Sequence, residues 1–493
     1  MSANAGSAAR VNETPVSEIP VPLVLDLDRS LIRCDMLHET ALAFLRRNPL
    51  GVFKLMRWLM QGRAALKRKL AEAVTVDVDS LPVNHELADY AAAEKAKGRT
   101  VVLATASDRF VATRIAKRFA FIDRVVASDG VTNLKGAAKA ETLCKLFPDG
   151  FAYAGDSAAD LAVWKRAASV VVVEASPAVA RKAARLGPVE ASFPRPSVTR
   201  AMVKSARLHQ WAKNALVFAP LVLGGQFANP AAWANAALAF VAIGVLASTT
   251  YLLNDLFDLP DDRKHWSKRK RPLASGRLPV VTAVAALPVG FAVAFALAAL
   301  VGMKAVGVLA VYLVVTVAYS MQLKRQPIVD AFTLAVLFTL RLGLGVVAAS
   351  VVVSPWLMVF SMFLFASLSF AKRHTEAERM ATLGELRIAG RGYLSSDGPL
   401  ILSMGVSSGL GAVMIMVLYL INDAFPGGLY ANPVWLWAFP PILFLWIGRI
   451  WLLCQRGELN DDPVAFAVRD RTSILLGLGI VAAFLAGWYG IGA

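Results

Sequence analysis

The stretch "LNDLFDLPDDRKHWSKRKRPLASG", residues 253–276, follows about twenty almost uncharged residues. It holds four aspartates and seven Lys, Arg or His residues. Carboxylates at membrane depth are costly and usually serve a function. Carboxylates beside a basic cluster suit a metal-bound diphosphate, because the acids can hold Mg²⁺ and the bases can hold phosphate oxygens.

The spacing of these aspartates predicts that they share a helix face. Asp255, Asp258 and Asp262 stand at i, i+3 and i+7, which stacks them along one side of a helix. Carboxylates so close repel one another unless cations lie between them. Pro260 lacks a backbone donor and should interrupt the helix between the second and third aspartates. The pattern therefore favours Asp255 and Asp258 as the metal site, with Asp262 as a further candidate.

Hydropathy divides the chain into two parts. Hydrophobic residues make up 57% of the sequence, above the ~45–50% that is typical of soluble proteins. Residues 1–208 have the composition of a soluble domain, whereas from about residue 209 apolar runs recur that are long enough to cross a bilayer. We predict nine transmembrane helices, centred near residues 219, 242, 290, 312, 339, 362, 411, 443 and 482.

The charge pattern predicts a topology. Seventeen Lys and Arg residues lie in four loops, at residues 254–278, 321–327, 372–399 and 455–471, and the alternate loops hold only Lys304. This asymmetry predicts a multi-pass protein of the bacterial cytoplasmic (inner) membrane with those four loops inside. The first twenty residues lack a signal-peptide pattern, so the N-terminal domain is expected in the cytoplasm and the C-terminus outside. The net charge of +17 then reflects topology, and we expect no nucleic-acid partner.

The soluble part combines apolar strand segments with polar residues at their ends. The segments are "VPLVLDLDRSL" (21–31), "TVVLATASD" (100–108), "NLKGAAKAETL" (133–143) and "FAYAGDSAADLAVW" (151–164). Strands that alternate with helices predict an α/β fold with a parallel sheet, whose ligands gather at the carboxyl ends of the strands. A carboxylate there can accept a phosphoryl group, and a second can transfer the proton.

These four segments resemble, in order, the four motifs of the haloacid dehalogenase-type phosphatases. The resemblance implies that Asp26 is the nucleophile and that Asp28 is the general acid and base. It implies that Thr105 and Lys139 hold the phosphate, with Lys135 as an alternative to Lys139.

The same resemblance implies a Mg²⁺ site and a set of domain boundaries. Asp156 would be the main Mg²⁺ ligand, supported by Asp160, in a site shared with Asp26 and Asp28. The predicted domains are a disordered N-terminus (1–19), a phosphatase domain (20–185) with a small helical cap at about 34–98, a linker (186–206) and a membrane domain (207–493).

Three further segments bring polar residues to the predicted cytoplasmic ends of membrane helices. They are "RLHQWAKN" (207–214), "YSMQLKRQPIVD" (319–330) and "FAKRHTE" (370–376). Arg341 lies deep in an apolar run. It should face the interior of the bundle, because an unpaired charge in lipid is costly.

The phrases "QWAKN", "NDLFDLPDDR-H--KR-RP-ASG" and "YSMQLK" resemble the UbiA superfamily of intramembrane prenyltransferases, whose nine helices surround a Mg²⁺-diphosphate site. Within it, the match is to the branch of decaprenyl-phosphate phosphoribosyltransferases. Aromatic prenyltransferases carry a second aspartate-rich motif after the fourth helix, where this chain has only Asp330. That departure favours the phosphoribosyl branch.

This second resemblance implies an all-α membrane bundle that transfers 5-phosphoribose from phosphoribosyl diphosphate to a polyprenyl phosphate. Asp255 and Asp258, helped by Asn254 and Asp262, would hold the Mg²⁺ that neutralises the leaving diphosphate. The remaining candidate substrate-binding residues are Lys213, Asn214, Arg263, His265, Lys268, Arg269, Tyr319, Lys324, Lys372 and Arg373.

The two resemblances together predict a bifunctional enzyme at the lipid bilayer. The transfer product would keep a 5-phosphate on its ribose, and the N-terminal domain would remove it. The result would be polyprenyl-phosphoryl ribose, a precursor of the arabinofuranose donor for cell wall arabinan. Mg²⁺ would serve both domains, and a homo-oligomer is possible.

Two other interpretations remain open at this point. A UbiA-type enzyme could instead move a prenyl group from a prenyl diphosphate to an aromatic or other small acceptor, with the same aspartates binding the diphosphate. A transporter or membrane scaffold with a regulatory front domain would need ionisable residues at the midplane of several helices, or internal repeats. The sequence has mainly Arg341 at such a depth.

Overall fold

The computed structural model describes residues 10–11, 21–129, 132–384, 386, 391–459, 463–467 and 469–491. The chain divides into two compact units. The first unit holds Met1–Ala206 together with Leu252–Leu287, and the second holds Arg207–Tyr251 with Pro288–Ala493. The aspartate-rich segment therefore belongs to the same compact unit as the N-terminal domain.

A seven-stranded sheet organises the first unit, in the order β1-β7-β6-β5-β2-β3-β4. The strands are β1 (Arg10–Val11), β2 (Leu23–Leu25), β3 (Val101–Asp108), β4 (Arg124–Ser128), β5 (Ala152–Gly155), β6 (Ser169–Val173) and β7 (Val189–Phe193). β1 pairs with β7 in antiparallel fashion, and every other pairing is parallel. The predicted parallel sheet is confirmed.

Helices cover the sheet and build the segment between β2 and β3. They are α1 (Met36–Arg47), α2 (Val52–Met60), α3 (Arg63–Ala73), α4 (His85–Ala96), α5 (Arg109–Ala116), α6 (Ala137–Leu146), α7 (Leu161–Trp164), α8 (Pro177–Ala183) and α9 (Val198–Ser205). The apolar runs of the strands are buried on both faces, as expected for parallel strands covered by helices.

Two predicted boundaries look different in the structure. Residues 186–206, expected as a linker, contain strand β7 and helix α9, because alternating apolar residues such as Ala191 and Phe193 are buried where β7 pairs with β6. The expected disordered residues 1–9 and 12–19 lie outside the described part of the chain. Residues 10–11 form β1.

Most of the remaining helices are long and apolar, and the three shortest have five or six residues. They are α10 (Ala219–Leu223), α11 (Pro230–Phe257), α12 (Leu259–Lys264), α13 (Val280–Val301), α14 (Met303–Met321), α15 (Val329–Ala349), α16 (Pro355–Thr382), α17 (Gly398–Tyr419), α18 (Phe439–Gln455), α19 (Pro463–Ala467) and α20 (Arg471–Tyr489). Within the described residues, eight helices are long and apolar enough to cross a membrane.

The ninth predicted span, near residue 219, is not confirmed. Residues Leu208–Phe218 form a 3₁₀ helix, and α10 that follows it has only five residues. Pro220 and the glycines at 224 and 225 explain the short helix, since proline removes a donor and glycine disfavours helix.

Candidate functional site

Three neighbouring strands bring their polar ends to one edge of the sheet. β2 lies between β5 and β3, so Asp26 after β2, Thr105 in β3 and Asp156 after β5 meet at the carboxyl edge. Ligand oxygens of Asp26, Asp156 and Asp160 all lie within 4.8 Å of one another. We call these three carboxylates the sheet-edge cluster.

A buried lysine and a tyrosine hold this cluster. Lys139 on α6 donates to Asp26 Oδ1 at 2.8 Å and to the Tyr153 hydroxyl at 2.8 Å. The Tyr153 hydroxyl donates to Asp160 Oδ1 at 2.8 Å. Lys139 is buried whereas Lys135 is exposed, so the structure brings Lys139, and not the alternative Lys135, to Asp26.

Asp160 is oriented by its own turn. Its Oδ2 accepts hydrogen bonds from the Ser157 hydroxyl at 2.7 Å and from the Ser157 and Asp156 backbone amides at 3.0 and 3.3 Å. A Cβ on Gly155 would meet Asp160 and Tyr153 side-chain atoms at 2.8 Å. Glycine at this position therefore allows the close approach on which the cluster depends.

The cluster carries more negative charge than Lys139 neutralises. Burial, followed by the neighbouring carboxylates, raises the pKa of Asp26 to about 7 in spite of the Lys139 ammonium. Burial and the charges of Asp26 and Asp160 raise the pKa of Asp156 to about 8. A cation among these oxygens would relieve the repulsion, and carboxylate oxygens are the ligands that Mg²⁺ prefers. The donor set fits a magnesium ion.

Asp28 lies beside the cluster in a separate hydrogen-bond environment. Its Oδ1 accepts from the Met36 backbone amide at 2.7 Å, and its Oδ2 accepts from the Ser107 hydroxyl at 2.7 Å. Thr105 Oγ1 lies 3.4 Å from the same Oδ2. Burial raises the pKa of Asp28, which suits a carboxyl that must carry a proton in part of a reaction cycle.

Sequence reasoning missed Ser107 and Tyr153 as members of this site. Ser107 stands two residues after Thr105 in a strand, so both side chains point to the same face. That spacing was an available signal. Tyr153 lies within an apolar strand, where a tyrosine is ordinarily a core residue, and only the fold shows its hydroxyl between Lys139 and Asp160.

The aspartate-rich segment forms a second set of carboxylates in the first unit. Helix α11 ends at Phe257 and α12 begins at Leu259, so the helix is interrupted at Asp258 itself, just before the predicted position between Asp258 and Asp262. Arg271 Nη1 lies 3.1 Å from Asp255 Oδ1 and 2.5 Å from Asp262 Oδ2. The break lets Asp262 approach Asp255, and the Arg271 guanidinium lies between these two buried carboxylates.

Asp258 has a different partner. Its Oδ2 accepts a hydrogen bond from the Asn254 amide at 2.9 Å, one helical turn earlier. Burial raises the pKa of Asp262 even though Arg271 opposes the shift. The segment thus offers carboxylate and amide oxygens, the ligand types that Mg²⁺ prefers, but within the described residues its three aspartates are not among the groups whose ligand oxygens all lie within 4.8 Å of one another. The sequence placed Arg271 in the basic cluster but did not identify it as the partner of the aspartates.

Arg263, predicted to hold phosphate, has another role in the structure. Its two terminal nitrogens bind the two carboxylate oxygens of Glu39, at 3.0 and 2.7 Å, and both side chains are buried. Its Nε donates to the Ala274 carbonyl at 3.3 Å. The guanidinium is thereby directed toward α1 and the 263–276 loop, and Arg263 is left out of the phosphate-binding set.

Further contacts attach the same loop to the N-terminal domain. Lys264 Nζ lies 2.8 Å from Asp77 Oδ2. A side chain at Gly276 would collide with the Arg33 carbonyl. Gly276 also has φ +73°, a conformation that favours glycine. The aspartate-rich segment is therefore built on the N-terminal domain and has its shape fixed by it.

We predict that Glu39→Gln loosens this segment. A buried ion pair that loses one charge costs about 3 kcal/mol, which corresponds to roughly 100-fold faster amide hydrogen exchange by local opening. The rate of amide hydrogen exchange in residues 36–47 and 259–276 of the purified protein measures this loosening. Glu72→Gln, in the exposed pair with Arg68, is the matched control and should change nothing. Unchanged exchange in Glu39→Gln would contradict the assignment.

Other predicted phosphate-binding residues of this loop are accessible. Lys268 and Arg269 are exposed, and His265 is half-buried. His265 Nδ1 lies 3.2 Å from the Ser267 backbone nitrogen, so this ring shapes the turn that carries the two cations. Lys268 and Arg269 stay candidates for phosphate oxygens.

In the second unit, Asp330 anchors a buried ion network. Its oxygens accept from the Arg373 guanidinium, from Arg391 Nη1 at 2.8 Å and from the Tyr319 hydroxyl at 2.8 Å. Arg373 also binds Glu376 at 2.6 Å. Two carboxylates and two guanidinium groups balance, so Asp330, Tyr319 and Arg373 hold helices α14, α15 and α16 together.

Removal of the Asp330 charge should destabilise the helix bundle. Asp330→Asn leaves Arg373 and Arg391 short of a counter-charge, which costs about 3–5 kcal/mol for a buried pair. Thermal unfolding in detergent should show a clear drop in midpoint. Glu378→Gln, an exposed position one turn away from this network, should leave the midpoint unchanged. An unaltered midpoint for Asp330→Asn would argue that the network is not structural.

A second buried arginine, Arg341, binds polar side chains elsewhere in the second unit. Arg341 Nε donates to Asn214 Oδ1 at 2.9 Å, and its Nη2 donates to the Tyr312 hydroxyl at 2.8 Å. The prediction that Arg341 faces the bundle interior is confirmed. Asn214, predicted to bind substrate, is buried as its partner. The remaining candidates Lys213, Lys324 and Lys372 are half-buried in this unit.

The sequence has relatives among known proteins. Residues 216–476 match the UbiA prenyltransferase family. The uncharacterized protein y4nM of Sinorhizobium fredii is 38% identical over 94% of this chain and 90% of its own. The nodulation protein NoeC of Azorhizobium caulinodans is 32% identical over 57% of this chain and 92% of its own. Decaprenyl-phosphate phosphoribosyltransferase of Mycobacterium tuberculosis is 29% identical over 59% of this chain and 94% of its own.

The chain belongs to the UbiA prenyltransferase family. Family membership and the eight apolar helices of the described residues together make it a multi-pass membrane protein and an enzyme of the transferase class. The expected UbiA family is confirmed, and the resemblance of the N-terminal domain to haloacid dehalogenase-type phosphatases stays a prediction.

Proposed function

We propose that this protein transfers 5-phosphoribose from phosphoribosyl diphosphate to a polyprenyl phosphate, and then removes the 5-phosphate of the product in its N-terminal domain. The product would be polyprenyl-phosphoryl ribose, a precursor for arabinofuranose donors. The enzyme would act at the cytoplasmic face of the inner membrane, with the N-terminal domain in the cytoplasm and the C-terminus outside.

The transferase half of the proposal is supported by the aspartate-rich segment and by relatives that carry the phosphoribosyltransferase name. Asp255, Asp258 and Asp262, with Asn254, would hold a Mg²⁺ ion, which would neutralise the leaving diphosphate. Lys268 and Arg269 would bind its phosphate oxygens, and Lys213, Lys324 and Lys372 are the candidates from the second unit. The attacking lipid phosphate is already anionic at neutral pH, so positioning and charge stabilisation would supply most of the rate.

The state of Asp330 favours sugar transfer over aromatic prenylation. The aromatic enzymes resembled by this chain use a second aspartate motif, and here its single remaining aspartate is fully buried in a balanced ion network. An aspartate with both oxygens bound to arginine is poorly placed to bind a second metal ion. The first aspartate motif would therefore bind the Mg²⁺-diphosphate without help from a second aspartate motif.

The phosphatase half is supported by the sheet-edge cluster and by the resemblance to haloacid dehalogenase-type phosphatases. Asp26 would attack the phosphorus, and the ribose 5-oxygen would leave with a proton from Asp28. Water, deprotonated by Asp28, would then hydrolyse the aspartyl-phosphate. Lys139 and Thr105 would hold phosphate oxygens. Asp26, Asp156 and Asp160 would retain a Mg²⁺ ion, which would screen the negative charge as the nucleophile approaches.

One observation carries the combined proposal. The aspartate-rich segment and the sheet-edge cluster lie in the same compact unit, and the buried Glu39–Arg263 pair joins the segment to α1 of the sheet domain. An intermediate released at the first set of carboxylates would meet the second at a high effective concentration.

Mass spectrometry of the lipid product tests the proposal. Purified protein is incubated with Mg²⁺, phosphoribosyl diphosphate and a polyprenyl phosphate. Addition of an unphosphorylated pentose supports both steps. If the lipid keeps a pentose phosphate, the proposed transferase activity is supported and the proposed phosphatase activity is contradicted. Without pentose, transfer from a prenyl diphosphate to an aromatic acceptor is assayed next, and a positive result there would replace the proposal.

A further inference from the structure

Helix α2 and the turn before it expose a dense apolar surface in the first unit. Met60 is 88% exposed, Leu50 77%, Phe53 69% and Met56 61%. Val52 and Leu59 are exposed as well. Six large apolar side chains within eleven residues exceed the scattered exposure that is normal for a soluble surface. We call these six residues the cap patch.

The opposite side of α2 already supplies the packing that the fold needs. Leu55 and Trp58 pack against the buried residues Phe44, Leu66 and Leu70 of the neighbouring helices, and the rings of Phe44 and Trp58 are 5.2 Å apart. The helix is therefore held by one apolar face while a second apolar face points outward. The outward face remains largely exposed to solvent.

The exposed side chains form one stripe along α2. At 100° per residue, Val52, Phe53, Met56, Leu59 and Met60 fall within an arc of about 120°. On the same helical wheel Arg57 lies about 40° beyond one edge of this stripe and Lys54 about 100° beyond it, and both are exposed. An apolar stripe with cations at its border is the arrangement of helices that lie in the plane of a membrane interface.

The chain segment that carries the cap patch is strongly basic. Residues 40–71 contain eight Lys and Arg residues and no Asp or Glu. Of these, Arg46, Arg47, Lys54, Arg57 and Arg63 are exposed. Such a surface is complementary to acidic phospholipid headgroups, to which exposed cations are attracted within a Debye length.

We propose that the cap patch is a membrane-binding surface that inserts into the headgroup region of a bilayer containing acidic phospholipids. The apolar stripe enters the acyl boundary, and the cations at its border bind lipid phosphates. A second copy of the chain or a protein partner would not need the uniform positive charge. The surface would hold the N-terminal domain at the bilayer, where a lipid-linked substrate is found.

Depth-dependent quenching in nanodiscs tests this proposal on the full chain. Met56→Cys, in a Cys144→Ala background, is labelled with a polarity-sensitive fluorophore, since Cys34 and Cys454 are buried. Lys97→Cys, whose lysine side chain is 71% exposed directly after α4, is the matched control. Nanodiscs contain phosphatidylcholine with or without phosphatidylglycerol and a lipid that carries a nitroxide near the headgroup.

We expect at least about threefold stronger quenching at position 56 than at position 97. Lys54→Gln with Arg57→Gln should reduce this difference in phosphatidylglycerol discs and leave it unchanged in pure phosphatidylcholine. Equal quenching at the two positions overturns the proposal. Disulfide cross-linking of position 56 between two copies, with the probe unquenched, would identify a second copy as the occupant and would also overturn it.

Discussion

Asp255→Asn is expected to lower the rate of pentose transfer to the lipid by about 10²–10³-fold, the effect of losing one preorganised charge at a reacting diphosphate. Asp255 is buried and lies on the last turn of α11, 3.1 Å from Arg271 Nη1. The amide keeps the size of the side chain but removes the charge that a metal ion requires. Transfer is measured with radiolabelled phosphoribosyl diphosphate and a polyprenyl phosphate at saturating Mg²⁺.

Asp261→Asn is the matched control for this prediction. It lies in the same short segment, but its side chain is 78% exposed and lies 3.9 Å from Arg46 Nη2. Activity within about twofold of wild type is expected there, as for most exposed substitutions. If Asp255→Asn and Asp261→Asn behaved alike, the aspartate-rich segment would not be the diphosphate site.

Asp26→Asn is expected to abolish dephosphorylation, by about 10⁴-fold or more, and to leave transfer intact. The scale follows from losing a covalent nucleophile that acts together with its neighbours. Asparagine fits the space beside Lys139, so the fold should persist. The product seen by mass spectrometry should change from lipid-linked pentose to lipid-linked pentose phosphate.

The control for this variant is Asp149→Asn, an exposed carboxylate of the same domain. It should give the wild-type product. Complete removal of the 5-phosphate by Asp26→Asn would show that another group is the nucleophile. Loss of pentose transfer in Asp26→Asn, with a folded protein, would show that the two halves cannot be separated by this substitution.

Much of the fold could be predicted from local patterns. Apolar runs such as residues 100–108 predict parallel strands, and polar residues at the ends of β2, β3 and β5 predict a ligand edge. Long apolar runs predict membrane helices. The segment near residue 219 misled because hydropathy counts apolar residues but does not register that Pro220 and the following glycines shorten the helix.

The sequence allowed us to predict which residues belong to the candidate sites, but not which of the charged side chains bind one another. Asp26 and Asp156 could be found because their strand ends are adjacent in a parallel sheet, and Lys139 because its segment resembles a phosphatase motif. That Arg263 binds Glu39, 224 residues away, depends on how the chain folds back and leaves no local pattern. The same holds for the pair of Arg373 and Asp330. In the sequence these charges look like the ordinary charges of cytoplasmic loops, and only the folded structure shows that they bind each other.

The Glu39–Arg263 pair has a consequence for attempts to exchange parts of this enzyme. A membrane half expressed alone would retain an arginine whose counter-charge was supplied by the missing half. A chimera with a foreign N-terminal domain would face the same deficit unless the new domain offered a carboxylate at that place. The border between the halves is therefore a poor place to cut, and a graft should carry α1 along with the segment that it supports.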